Sequence, residues 1–312
     1  MNIEIPIPLV QGGMAVRIST APLVAAVSRS GGLGVLGASG MDPEELRDEI
    51  HAVRAEVGTA PFGVNIMVAV SKFKELVRTC IEERVPALLV GAGFSREIFE
   101  ARESGVKVLP IVSSVKAAEL SERLGADAIV VESGRAGGHL GTLEPLENIL
   151  SGILERVRIP VIAAGGVETP AQAAELQAQG VAGIQLGTRF ALTEESNFAA
   201  ASKAFLLEAR EEDIVLIESP AGLPARAVLS PLLERINAGK RPKPQVIKSC
   251  ISCLKSCTKR FCLLDALVCA QRGDIEHGLF FTGDQLPRVR DVVPAAAVVR
   301  AYAAALSGSL SF

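Results

Sequence analysis

The chain has 312 residues, of which 49% are hydrophobic and 21% charged, and a net charge of −3. That is enough apolar content for one large barrel or two smaller domains, and it leaves no room for a disordered half. The faintly acidic balance argues against nucleic acid and anionic membranes as partners. No run approaches the ~20 apolar residues of a membrane span.

MNIEIPIPLVQGG lacks the basic start and long apolar core of a secretory signal, so a cytoplasmic protein is expected. Short apolar runs alternate with helical patterns as far as residue 210. Strands are expected at 6–11, 33–36, 63–67, 87–90, 106–112, 128–131, 160–164 and 183–186. Helices are expected near 20–29, 43–56, 71–83, 95–104, 115–124, 144–156, 169–179 and 195–210. Asp42-Pro43, Ser114 and Thr169-Pro170 are helix starts, and Gly105, Gly125 and Gly180 are helix stops. Eight strand–helix repeats at a spacing of about 25 residues point to a (β/α)8 TIM barrel. A doubly wound open sheet fits the same alternation. With 11 Phe, one Tyr and no Trp, the core falls to Ala, Val, Ile and Leu, and a planar ligand to backbone and aliphatic groups.

The rhythm breaks after Arg210. Residues 213–218 read as one more strand, SPAGLPARAV as a turn-rich segment, and GKRPKPQVIK (239–248), with four basic groups and two prolines, as a linker. Residues 286–306 are again helical, apolar on one face, and suited to packing back on the barrel. The expected division is a barrel over 1–211, a smaller appended domain over 212–284 and a terminal helix over 285–312.

Chemistry collects at the expected strand ends. AIVVESGRAGGHLGT (128–142) closes a β-branched run with Glu132, then turns through Gly134, Gly137 and Gly138 into His139, one of only three histidines. Such a turn permits close approach of a ligand, although a tight strand-to-helix turn with a backbone-bonded histidine reads the same way. Gly165 and Gly166 after the seventh strand, and Gly187 and Thr188 after the eighth, stand where barrels bind phosphate. Gln11, Gly12, Gly13 and Met14, Asn65, Ser113, Glu132 and Gln185 complete one rim. Small residues there leave space for a flat ring, and amides can bind its edge. Together they read as a mononucleotide site.

PLVQGGMA (8–15), GGLGVLGA (31–38), VNIMV (64–68), ESGRAGGHLGT (132–142), IPVIAAGGV (159–167), IQLGTRFALTEES (184–196) and SPAGLPARAV (219–228) resemble the nitronate monooxygenase family, formerly 2-nitropropane dioxygenases. That family includes FMN-dependent enoyl-acyl-carrier-protein reductases. The resemblance implies a barrel holding FMN, a smaller domain covering it, and His139 beside the isoalloxazine ring, with phosphate at Gly165, Gly166, Gly187 and Thr188. Oxidation of alkyl nitronates with O₂ is the first reading, and reduction of an enoyl thioester by NAD(P)H the second. A non-catalytic flavin or metal-binding protein is the third. No GxGxxG opens the chain, so any nicotinamide would dock transiently. The substrate is a small molecule; no nucleic acid or membrane partner is expected, and a homodimer is left open.

The chain departs from simple members at Cys250-x2-Cys253-x3-Cys257-x4-Cys262, followed by Cys269. In a chain expected to be cytoplasmic, such a cluster reads as a metal centre before disulfides. A [4Fe–4S] cluster is expected first, then structural Zn²⁺, then unmetallated thiols. Cys80 reads as a small core residue.

Overall fold

The structure, a computed structural model, describes residues 2–312. Strands β1 (Leu9–Gln11), β2 (Gly34–Gly37), β3 (Phe62–Met67), β4 (Ala87–Gly91), β5 (Lys107–Val112), β6 (Ile129–Glu132), β7 (Val161–Ala164) and β8 (Gly183–Leu186) form one parallel sheet in sequential order. Between them run α1 (Ala21–Arg29), α2 (Pro43–Val57), α3 (Phe73–Glu82), a 3₁₀ helix (Arg96–Ser104), α4 (Val115–Arg123), α5 (Leu146–Arg156) and α6 (Pro170–Ala178). Strand β8 pairs with β1 (Leu186 opposite Gln11), and a Val10–Leu33 bridge joins β1 to the start of β2. The sheet therefore closes on itself as a TIM barrel. A doubly wound sheet would need a reversal of strand order that is absent here.

Three predicted helices are capped by the side chains the sequence offers. Asp42 accepts from Glu45 N–H, Ser114 from Ala117 N–H, and Thr169 forms a full capping box with Gln172. Inside the barrel Val10, Val35, Leu89, Leu109, Val130 and Ile162 pack together, with Ile3, Ile5, Leu310 and Phe312 in the same cluster. The Glu4–Ile5 strand pairs with Leu310–Ser311. These side chains plug the N-terminal end of the barrel, so the opposite rim is the one left open for ligands.

Some expectations shift. The segment predicted as helix over 195–210 follows a separate short helix, α7 (Thr188–Ala191), and is itself shorter, α8 (Ala200–Glu208). The terminal helix does not begin at 286. Leu286–Arg288 make a 3₁₀ turn, and α11 (Ala295–Ala303) starts only after Pro294, whose ring and missing N–H bar it from a helix interior. Before it, α9 (Pro231–Asn237) and α10 (Leu263–Arg272) flank the irregular 239–262 stretch. Helix α11 packs against α1, α6 and α7, burying Val298, Val299 and Tyr302.

Above the open rim, Ile214–Glu218 and Pro224–Val228 form an antiparallel hairpin. Two short strands extend it: Phe280–Phe281, and Gly138–His139 from the loop after β6. The small sheet thus includes a piece of the barrel. The 239–262 stretch is pinned through the buried Asp265 carboxylate, which accepts the N–H groups of Gln245, Val246 and Ile247 at 2.7–2.9 Å. A Val70–Leu254 bridge ties the same stretch to the loop after β3.

Candidate active site

A cavity of about 260 Å³ opens at the C-terminal ends of the strands, beneath the small sheet and α10. One side is almost bare backbone: Gly12 and Gly13 after β1, Gly91 and Ala92 at the end of β4, and Gly137 and Gly138 before His139. Steric crowding enforces some of these glycines. A Cβ on Gly13 would lie 2.5 Å from the Asn65 Cβ and 2.9 Å from the Leu36 carbonyl oxygen. At the end formed by β7 and β8 the wall is Gly165, Val167, Gly187 and Thr188, with Gly187 capping α7. Backbone N–H groups here have no side chain in front of them: a Cβ on Gly187 would meet nothing within 4 Å.

A second cavity of about 170 Å³ adjoins that end, sharing Val167 and Gln285 and bounded by Arg189 and Arg288. Buried Arg189 Nε and Gln285 Oε1 have no hydrogen-bond partner among the described residues. Glu168 is clamped by Arg135 (2.8 Å) and Arg288, so these two guanidinium groups are already engaged.

Opposite the glycines the wall is apolar, made by Val16, Val70, Leu254, Leu263, Leu264 and Leu267. His139 stands on the rim between the two surfaces, lining the cavity. Its backbone pairs with Ala225, its Nε2 lies 2.7 Å from Ser219 Oγ, and its ring meets the edge of Phe281 at a centroid distance of 5.2 Å. Burial lowers its pKa to about 4, so the imidazole is neutral at physiological pH. Glu132 shows the converse effect: enclosed by protein, it faces only the cavity, and loss of hydration raises its pKa to about 7.

Of the residues singled out from sequence, Gly12, Gly13, Met14, Asn65, Glu132, Gly137, Gly138, His139, Gly165, Gln185, Gly187 and Thr188 line this one cavity. Gln185 Oε1 is buried there without a partner. Three do not reach the wall. Gln11 spends its amide internally, donating to Ser19 Oγ and the Gly12 carbonyl and accepting from Val35 N–H. Ser113 backs the glycine loop, since a Cβ on Gly141 would strike its Oγ at 2.4 Å. Gly166 faces Arg135, whose side chain would lie 3.0 Å from a Cβ there.

Sequence reading missed Phe281, Thr282 and Gln285, which also line the cavity. Their only signal was a polar turn, TGDQ, directly after two phenylalanines. It also missed the leucines of α10, whose helical spacing resembles any core stripe.

The expected metal centre at Cys250, Cys253, Cys257 and Cys262 is not assembled. Among the described residues, no group of three or more His, Cys, Asp or Glu is arranged to hold a metal ion. The four thiols nevertheless lie near one another: with burial, the neighbouring Cys262, Cys257 and Cys250 raise the Cys253 thiol pKa. Cys253 lines the cavity, Cys257 Sγ accepts from Lys259 N–H at 3.4 Å, Cys262 is the residue preceding α10, and Cys250 is exposed. Cys269 points its thiol at Asp265 on its own helix, and Cys80 lies fully in the core, where burial pushes its thiol pKa up.

The protein is a TIM-barrel enzyme whose cavity opens at the C-terminal rim, with a neutral imidazole on the wall. More narrowly, the chain belongs to the nitronate monooxygenase family of oxidoreductases, whose family model matches residues 1–303. It is 35% identical over 240 residues to (3aS,4S,5R,7aS)-5-hydroxy-7a-methyl-1-oxo-octahydro-1H-indene-4-carboxyl-CoA dehydrogenase of Mycobacterium tuberculosis (strain ATCC 25618 / H37Rv), covering 76% of this chain and 67% of that protein. FabK from Thermotoga maritima superposes with a TM-score of 0.83 at 33% identity, over 96% of this chain and 92% of that one. Nitroalkane oxidase from Streptomyces ansochromogenes superposes with a TM-score of 0.80 at 25% identity, over 96% of each chain. No helix among the described residues is long and apolar enough to cross a membrane.

Proposed function

We propose that the protein is an FMN-dependent oxidoreductase that oxidises alkyl nitronates with O₂. The observation that carries this reading is His139: a neutral side chain on the wall of a cavity largely lined by glycine backbone and aliphatic groups. Three features support FMN as the bound group. The Gly12–Gly13 and Gly137–Gly138 backbones leave a flat surface for a ring, and the orphaned amide oxygen of Gln185 has a polar partner to gain. The space beside Gly187 and Thr188 suits a phosphate, which the N-terminal N–H groups of α7 and the Thr188 hydroxyl would hold. FMN, when bound, supplies a two-electron acceptor that O₂ regenerates.

The chain's own residues do the rest. Asn65 and Gln185 orient the ring edge through their amides. Leu254, Leu263, Leu264 and Leu267 receive the alkyl part of the substrate and exclude water, which strengthens any hydrogen bond made to the nitro oxygens. His139 supplies that bond. Purified protein should contain one FMN per chain and consume O₂ with ethyl nitronate. His139→Ala should retain the flavin and slow turnover by about 10²-fold; an unchanged rate removes His139 from the chemistry.

A second reading, reduction of an enoyl thioester by NAD(P)H, is favoured by one observation. Residues 239–262 carry Lys240, Arg241, Lys243, Lys248, Lys255, Lys259 and Arg260 with no acidic residue between them, all exposed, beside the apolar wall made by Cys253 and Leu254. A phosphate-bearing thioester carrier matches that surface in charge, and the carboxyl-CoA dehydrogenase relative acts on such a thioester. Consumption of NADH or NADPH dependent on added enoyl-CoA would establish it.

A further inference from the structure

We infer that Ser219 is a positioning residue that fixes His139 in the Nδ1–H tautomer, so that the ring meets substrate as a hydrogen-bond donor to an anionic oxygen and not as a base.

The assignment follows from counting hydrogen-bond valences around one hydroxyl. Ser219 is 2% exposed and begins the turn 219–222, where Gly222 N–H returns to the Ser219 carbonyl at 2.9 Å. Its Oγ has two neighbours: the Ala221 N–H at 3.2 Å, which can only donate, and His139 Nε2 at 2.7 Å. A serine hydroxyl has one proton to give and two lone pairs to offer. If Nε2 carried the imidazole proton, Oγ would accept twice and its own proton would point at no acceptor among the described residues. Leaving a buried donor unpaired is the more costly arrangement. When Oγ–H donates to Nε2 instead, all of these groups are satisfied and the single proton of the neutral ring lies on Nδ1.

The remaining geometry gives that proton its direction. His139 lines the cavity, its main chain is locked opposite Ala225, and the Phe281 ring stands at 69° to the imidazole, so the ring cannot swing freely. Nδ1 has no protein partner among the described residues and is not among the fully buried orphan atoms, so it keeps some exposure on a residue that lines the cavity. A donor there suits a substrate that arrives already deprotonated, with charge spread over two oxygens. A neutral nitroalkane needs a proton acceptor, and the one ring nitrogen with a free lone pair is taken by Ser219. The choice of anion rests on the nitronate reading above; the tautomer does not.

The experiment is a long-range ¹H–¹⁵N spectrum of the ¹⁵N-histidine-labelled FMN holoenzyme at neutral pH, with His139 assigned by its loss in His139→Asn. The expected wild-type signal has a pyrrole-type Nδ1 and a pyridine-type Nε2, retained in Ser219→Thr and converted towards Nε2–H in Ser219→Ala. In steady state, Ser219→Ala should raise KM for ethyl nitronate by about 10-fold, with Ser219→Thr near wild type, and wild-type enzyme should leave freshly dissolved neutral nitroethane unconsumed. An Nε2–H signal in the wild type overturns the inference whether or not any variant folds. So does an unaltered tautomer in folded Ser219→Ala, or turnover of neutral nitroethane at the nitronate rate. If no nitronate is oxidised but the wild-type spectrum is as expected, the substrate reading fails and the tautomer stands.

Discussion

Gly283 donates its backbone N–H to Thr188 Oγ1 at 2.9 Å, tying the loop after Phe280–Phe281 to the first residue of α7. The bond is buried and joins the small sheet to the end of the cavity proposed for the phosphate. Thr188→Val keeps the volume but leaves the Gly283 N–H unpaired. Destabilisation of about 1–3 kcal/mol is expected, together with weaker FMN retention. Thr188→Ser should restore both, and denaturant titration with flavin-release measurements checks the pair.

Two glycines of the rim should respond oppositely to a side chain. At Gly37 a Cβ would lie 2.3 Å from the Met14 carbonyl oxygen, backbone that cannot move away cheaply. Gly37→Ala should therefore destabilise the fold by about 1–3 kcal/mol or more. At Gly187, φ is −105° and nothing stands within 4 Å, so Gly187→Val should leave the stability of flavin-free protein within about 0.5 kcal/mol. What it should lose is FMN affinity, by roughly tenfold or more, because the methyl groups enter the phosphate space. Equal FMN affinity in Gly187→Val would move the phosphate elsewhere.

Glu132 gives the stability a pH dependence of known sign. Its folded-state pKa is raised from 4.5 to about 7 by loss of hydration. The folded state therefore binds the proton more tightly than the unfolded chain, and stability from this group is present below pH 4.5 and lost as pH rises towards 7. Relative to Glu132→Gln, wild type should lose up to about 3 kcal/mol across that window. Parallel pH profiles for the two proteins would show that the carboxyl is hydrated as in the unfolded chain.

The barrel was legible because short apolar runs alternate with helical patterns, and three helix starts carry their own caps, at Asp42, Ser114 and Thr169. The cavity wall was legible where glycine is sterically required, as at Gly13. Other features depend on partners that sequence does not name. Gln11 resembled a free amide because nothing in its neighbourhood announces the Val35 N–H that occupies it. The Gly138–His139 strand pairs with residues 225 and 226, nearly ninety positions away, and so its part in the upper sheet was invisible. Cysteine spacing suggested a metal centre and does bring the four thiols near one another, yet no metal-holding arrangement of three forms among the described residues; Cys253 lines the cavity and Cys269 faces Asp265.

The central claim, that His139 and the glycine-lined cavity carry nitronate oxidation on FMN, is tested most directly by anaerobic mixing. Flavoprotein free of O₂ is combined in a stopped-flow instrument with ethyl nitronate, and in parallel with NADH and NADPH, while the flavin absorbance is followed. The account predicts rapid bleaching by the nitronate, slowed about 10²-fold in His139→Ala, and recovery of colour when O₂ is admitted. Rapid bleaching by a nicotinamide with no reaction towards the nitronate would contradict it.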